Sequence, residues 1–262
     1  MPVSFLGRLS DDPDGRTLLD QLITDGVGVD LVSTGHEKTS RAIAHLDAGG
    51  RAEYEFEFEG TSAPNLTPDM LPGRLPVDCH AIVFGSLGLV LEPLATTLLG
   101  VIERERAGRV VVLDPNVRPG LIPDGEYRMR LRRAIAFSNI VKASDSDLAW
   151  LYEGAGYGEA AALLLEEGAR LVVVTLGSKG AFAAHRELRV AVPAMPVEIA
   201  DTIGAGDAFG AALIAWLHDR GKLRADLNLS ERDVRDALEF ACRAAAITCS
   251  RAGADPPWRS EM

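Results

Sequence analysis

The residues best suited to chemistry lie in one stretch, Asp201-Thr202-Ile203-Gly204-Ala205-Gly206-Asp207-Ala208-Phe209, where polar residues and glycines run straight into a long apolar segment. From Ala208 to Leu217 nearly every residue is apolar, so the spacing predicts a buried helix whose N-terminus sits at Gly206-Asp207. A helix N-terminus presents unpaired N–H groups and the positive end of the dipole, and glycines let an anion approach the backbone closely. A carboxylate at that spot can serve as a base beside a bound phosphate. The same pattern in isolation also describes an acidic residue favoured by the dipole and nothing more, so the rest of the chain has to decide.

That stretch needs a scaffold, and the composition supplies one. The 262 residues are 47% hydrophobic and 25% charged, which fits one α/β domain with a small appendage. A formal charge of −11 leaves no electrostatic footprint for nucleic acid, so the positive contacts of any phosphate ligand must be local. No run of about 18 apolar residues is present to span a membrane, and no basic region followed by an apolar one opens the chain, which reads as cytoplasmic. Three cysteines, Cys79, Cys242 and Cys249, have no metal-type spacing and read as core thiols.

A short strand is expected at Val3–Gly7, then a helix over Pro13–Asp25 ended by Gly26 and Gly28. From Thr39 to Phe58 the pattern alternates, with Asp47-Ala48-Gly49-Gly50 as a turn and Tyr54, Phe56 and Phe58 on one face. This predicts a hairpin with one apolar face, either a small sheet that covers something, as a lid or a dimer contact, or an edge hairpin of the main sheet. Buried strands follow at Ala81–Gly85, Val110–Leu113, Ile140–Val141 and Leu171–Thr175, separated by helical segments that include Glu126–Phe137 and Ala160–Glu167. A strand pair at Ala181–Ala184 and Leu188–Val192 and a last helix over Glu231–Ile247 complete the expected elements. Continuous apolar strands alternating with helices indicate a parallel sheet covered on both faces.

Ligands of such sheets bind beyond the carboxyl ends of the strands. Gly85-Ser86, Asp114 to Arg118, Lys142 to Asp147, Gly177 to Gly180 and Asp201 to Asp207 all fall there, which predicts a single cleft. Gly204, Gly206 and Gly210 miss the dinucleotide fingerprint by one residue, and neither a Walker A loop nor a complete GxSxG elbow is present. An anion turn with a carboxylate, an arginine after a strand and a second glycine loop remain. These are the parts of phosphoryl transfer to an alcohol.

The stretch from Ala200 to Phe209 resembles the C-terminal signature of the ribokinase-like, or PfkB, sugar kinases. The resemblance extends to Phe5-Leu6-Gly7-Arg8 with Asp11–Gly15, to Thr175-Leu176-Gly177-Ser178-Lys179-Gly180-Ala181 and to Gly253-Ala254. Asp114-Pro115-Asn116-Val117-Arg118-Pro119 and the Tyr54-Glu55-Phe56 hairpin are similar to fructokinases and ketodeoxygluconate kinases. It implies an α/β, three-layer α/β/α ribokinase-like fold with a mostly parallel central sheet, one kinase domain over 1–262 and a β lid at 36–60. It further implies ATP with Mg²⁺ and a sugar or sugar acid as acceptor, while the apolar face of the hairpin is the basis for expecting a homodimer through the lid.

By the same resemblance Asp207 is the general base, Gly204, Ala205 and Gly206 supply N–H groups to the transferring phosphate, and Arg118 contacts the sugar or that phosphate. Thr175, Gly177, Gly180, Gly253, Ala254 and Ser144 border the nucleotide. The carbonyls of Asp201 and Ile203 resemble those that hold a monovalent cation such as K⁺. Two departures stand out. The family's N-x-x-E element reads Ser144-Asp145-Ser146-Asp147 here, so that Asp147 would meet Mg²⁺ through water. The family's first strand and Gly-Gly segment do not precede Met1, which should expose apolar neighbours and remove part of the sugar pocket. That is expected either of a start assigned too late or of a truncated, non-catalytic relative with a binding or assembly role.

Overall fold

The computed structural model describes residues 1–46 and 52–262; the predicted turn at Asp47–Gly50 lies outside them. The chain forms two compact units, Met1–Leu75 with Leu87–Val101, and Pro76–Ser86 with Ile102–Met262.

In the first unit β1 (Ser4–Ser10) leads into α1 (Pro13–Thr24), whose start follows from its sequence. Pro13 occupies the first turn, and the carboxylate of the N-cap Asp12 accepts the Gly15 N–H at 2.7 Å. The same carboxylate accepts the Thr39 hydroxyl at 2.6 Å and the Thr39 N–H at 2.8 Å, fixing where the hairpin begins. A strand that was not anticipated, β2 (Gly28–Gly35), pairs in parallel with β1. The sequence reading stopped at Gly26 and Gly28 as helix terminators, whereas Gly28 already belongs to the strand. The hairpin is present as β3 (Arg41–Leu46) and β4 (Ala52–Glu57), antiparallel with Arg41 opposite Glu57.

The second unit is built on a six-stranded sheet. Its strands are β5 (Ala81–Gly85), β6 (Val110–Asp114), β7 (Ile140–Ser144), β8 (Leu171–Thr175), β9 (Ala181–His185) and β10 (Leu188–Val192), in the spatial order β10-β9-β8-β7-β6-β5. The pairs from β5 to β8 are parallel, and β9 and β10 continue antiparallel. After β5 comes α2 (Leu94–Glu105), most of which belongs to the first unit; the second unit adds α3 (Asp124–Phe137), α4 (Asp145–Leu151) and α5 (Tyr157–Glu166) between strands, and α6 (Ala205–Asp219) and α7 (Glu231–Cys249) follow.

Two-residue periodicity decides which strand residue meets which helix layer. Val110, Val112, Ile140, Leu171 and Val173 form one core with Leu213, Leu217, Val234, Leu238 and Ala241 of α6 and α7. The alternate residues Val111, Leu113, Val141, Val172 and Val174 are equally buried, on the face where α3, α4 and α5 contact β6, β7 and β8. This is the three-layer α/β/α arrangement. Burying each such side chain stabilises the fold by about 1.5–3 kcal/mol relative to leaving it exposed.

The expectation of a buried strand fails at β5. It is the edge of this sheet, paired only with β6 among the described residues, and Val83 is 57% exposed. Phe84, one residue on, is buried.

Candidate active site

The parallel strands deliver Gly85, Asp114, Ser144 and Thr175 to one edge, with Gly85 opposite Asp114 and Ser144 opposite Thr175. Around this edge the structure sorts the predicted residues into three groups.

The first is the turn before α6. The helix starts at Ala205, slightly earlier than the sequence suggested, because Gly204 adopts a left-handed conformation with φ of 76° that a side chain would strain. A Cβ on Gly204 would also lie 2.9 Å from that of Ala254. Asp201 organises the turn: one carboxylate oxygen accepts the N–H groups of Thr202 and Ile203 at 2.6 and 3.0 Å, and the other accepts that of Gly253 at 3.0 Å. These bonds, that from Ile203 foremost, hold its carboxyl below the usual carboxylate range. They also bring Gly253-Ala254 against the turn. The Ala205 N–H reaches Thr202 O at 3.3 Å and the Ala208 N–H reaches Gly204 O at 2.8 Å. The N–H groups of Gly206 and Asp207 have no partner among the described residues, and both residues are exposed. The carbonyls of Asp201 and Ile203 are equally uncommitted among the described residues.

The second group joins the ends of β6 and β7. Asp147 is buried, and its oxygens accept the Val117 N–H at 2.7 Å and both the Ser144 N–H and hydroxyl at 2.8 and 2.7 Å. With the Asp147 N–H bonded back to the Ser144 hydroxyl, this is a capping box that starts α4. Asp147 therefore pins the loop carrying Arg118, whose own N–H bonds the Tyr127 hydroxyl at 3.3 Å. The third group is the loop after β8, where the Leu176 N–H bonds Gly180 O at 2.8 Å and the Gly180 N–H bonds Gly177 O at 3.0 Å. Thr175 lies beside Ser144, with its hydroxyl 3.5 Å from Ala143 O. No hydrogen bond among the described residues joins this loop or Arg118 to the turn before α6.

The sequence places Asp114 and Lys142 among the polar residues at the strand ends but does not show that they pair. The reading ended the strand at Val141, but β7 continues to Ser144 and carries Lys142 into the interior, 6% exposed, with Nζ 2.7 Å from Asp114 Oδ2. The available signal was a lysine two residues beyond Ile140, on the same face of an apolar strand.

Among the described residues no group of three or more histidine, cysteine or acidic side chains is placed to hold a metal. A hard cation at this edge would be carried largely by phosphate oxygens and water, which is the ordinary situation of Mg²⁺ with nucleotides. No described helix is long and apolar enough to cross a membrane.

A sheet edge with an open helix N-terminus, a following carboxylate and glycine loops can receive a phosphate group, and comparison with known proteins gives the class of protein. The chain matches the pfkB family of carbohydrate kinases over residues 1–261 and belongs to that family. It is an ATP-dependent kinase with a sugar hydroxyl as acceptor. A fructokinase from Rhizobium leguminosarum bv. trifolii is 37% identical over 244 residues, 93% of this chain and 72% of that protein. Fructokinase-2 of Solanum habrochaites is 31% identical over 257 residues, 97% of this chain and 77% of that protein. The crystal structure of the fructokinase from Vibrio cholerae O395 in its fructose-, ADP- and calcium-bound form matches with a TM-score of 0.83 at 25% identity, covering 97% of this chain and 81% of that one. None of these supports the alternative of a non-catalytic relative.

Proposed function

We propose that the acceptor is fructose or a ketose of the same shape, phosphorylated by in-line attack of its hydroxyl on the γ-phosphate of ATP. The observation that carries the reading is the exposed Asp207 carboxylate one residue beyond Gly206, on a helix turn whose N–H groups at 206 and 207 are open. Asp207 takes the hydroxyl proton as the phosphoryl group moves, and the Gly204-Ala205-Gly206 turn receives the charge that develops on the phosphoryl oxygens. Arg118 supplies a cation to the sugar or the transferring group. The Thr175, Gly177 and Gly180 loop, Ser144 and the Gly253-Ala254 segment border the nucleotide.

Asp147, with both oxygens engaged, would meet Mg²⁺ through water, and the ion bound with ATP would withdraw charge from its phosphates. The Asp201 and Ile203 carbonyls would hold K⁺. The hairpin at 36–60 is assigned the lid that excludes water from the acceptor. Its apolar face, where Phe56 stacks on Phe58 at 5.2 Å, is assigned to a homodimer contact, and the enzyme to the cytoplasm.

An ATP-dependent phosphorylation screen over fructose, ribose, ketodeoxygluconate, glucosamine-type sugars and nucleosides tests this. Fructose should give the highest kcat/KM, and Asp207→Asn should lower kcat by about 10²–10⁴-fold. Absence of turnover on fructose, or equal turnover in the variant, overturns the reading.

A further inference from the structure

Lysine is rarely buried without a partner, and among the described residues Lys142 has one hydrogen bond, to an aspartate that is itself incompletely satisfied there. Its ammonium lies 2.7 Å from Asp114 Oδ2, while Asp114 Oδ1 is buried with no hydrogen-bond partner among the described residues. A structural ion pair normally meets all its donors and acceptors.

The direction of the pair is informative. Lys142 continues the face of Ile140, and Asp114 that of Val110 and Val112, which is the face packed by α6 and α7. There the ammonium meets the first turn of α6, so closely that a Cβ on Gly206 would stand 3.2 Å from Nζ. A positive charge is therefore held directly behind the turn whose open N–H groups would receive a phosphoryl oxygen. The surroundings call for one. Burial raises the Asp114 carboxyl above its ordinary range against the opposing charge and hydrogen bond of Lys142, and the charges of Asp147 and Asp207 add to the rise. Three carboxylates thus share one field, into which a polyanionic nucleotide must come.

We propose that Lys142, held in place by Asp114, is the fixed cation of the phosphoryl-transfer site, acting through the Gly204–Gly206 turn on the charge that develops in the transition state. Lys142 is a positioning and charge-supplying residue, and Asp114 is its holder. The assignment rests on the turn before α6 being the phosphate site of this kinase, and does not depend on which sugar is the acceptor. It also gives Gly206 a second reason to be glycine, since any side chain there would press on the ammonium.

The test compares Lys142→Met, Lys142→Arg and the paired replacement Asp114→Leu with Lys142→Met. Each is assayed for thermal stability, for kcat and KM, and for calorimetric binding of ADP with and without aluminium fluoride, a mimic of the transferring phosphoryl group. Lys142→Met should lose about 10²-fold in kcat, with little change in the sugar KM, and should melt earlier because Asp114 is left buried without a counter-charge. The paired replacement should recover the melting temperature but not kcat. Lys142→Arg should retain more kcat than Lys142→Met even if it is no more stable. Affinity for ADP with aluminium fluoride should fall at least tenfold in both charge-deleted proteins, while affinity for ADP alone stays near that of the parent. Recovery of kcat together with stability in the paired replacement would show that the pair is scaffold only and overturn the proposal. So would unchanged aluminium fluoride binding. Because that binding is read without any sugar, a parent protein inactive on fructose sinks the substrate reading and leaves this one to be judged separately.

Discussion

Each unit contains an ion pair capped by a glycine, and the two pairs are satisfied to different degrees. In the first unit Arg8 grips Glu37 with Nε and Nη2, at 3.0–3.2 Å. Its Nη1 reaches Ser33 Oγ at 2.9 Å and Thr34 O at 3.3 Å, and Asn65 adds a further donor to Glu37 at 3.2 Å. In the second unit Lys142 makes a single bond and leaves Asp114 Oδ1 unmet among the described residues. A saturated bidentate network fixes a conformation. An under-bonded pair behind an open helix turn is arranged for something that arrives.

The comparison breaks most readily at Arg8. Arg8→Met leaves Glu37, whose side chain is 25% exposed, without its partner, and should cost about 1–3 kcal/mol of stability after allowance for solvent access. Turnover per folded molecule should remain within twofold. Chemical denaturation followed by assay below the transition separates the two effects. If kcat falls as far as it does in Lys142→Met while stability holds, the roles assigned to the two pairs are wrong.

The two pairs were also hidden from the sequence for the same reason. Arg8 and Glu37 are 29 residues apart, and Lys142 and Asp114 are 28 apart. Periodicity reports which face a side chain takes, not which side chain of a neighbouring strand it meets. The apolar runs of β6 and β8 were legible because burial on both faces leaves no polar positions, and the α6 turn was legible because Gly204, Gly206 and Asp207 are close in sequence. β2 was missed because Gly28 and Asp30 weaken its pattern. The holding function of Asp147 was missed because its partners include the Val117 N–H, which only the fold brings within 2.7 Å. The exposure of Val83 depends on which strand lies at the edge of the sheet, and local composition does not encode that.

The glycines provide the next test, with opposite readouts. A Cβ on Gly35 would fall 1.9 Å from Glu37 Oε2 and 2.1 Å from Arg8 Nη2, both locked in their network. Gly35→Ala should therefore destabilise by about 1–2 kcal/mol, as overpacking does, and leave kcat alone. A Cβ on Gly206 meets only the end of a flexible lysine at 3.2 Å, so Lys142 can shift by a few tenths of an ångström. Gly206→Ala should hardly change the melting temperature but lower kcat several-fold, because the ammonium moves from behind the phosphate turn. Stability loss in Gly206→Ala without loss of kcat would erase the distinction between the pairs.

The smallest effect separates the units by pH. The Asp12 carboxyl is held far below its ordinary range, first by the Thr39 hydroxyl and then by the Gly15 and Thr39 N–H groups, whereas burial raises that of Asp114. A carboxylate depressed by folding contributes stability that is complete above its unfolded value, about 4, and is lost as pH falls through the lower folded value. A raised one contributes stability that is complete below its unfolded value and is lost as pH rises through the higher folded value. Asp12→Asn keeps an oxygen to cap α1 but removes the charge. The stability difference between parent and variant should be constant at neutral pH and shrink below about pH 4, as the parent takes up the proton that the variant never needed. Melting curves of both proteins from neutral pH down to about pH 3 measure it. A difference that stays constant throughout would mean that Asp12 holds Thr39 by geometry alone, and that its charge adds nothing to the start of the hairpin.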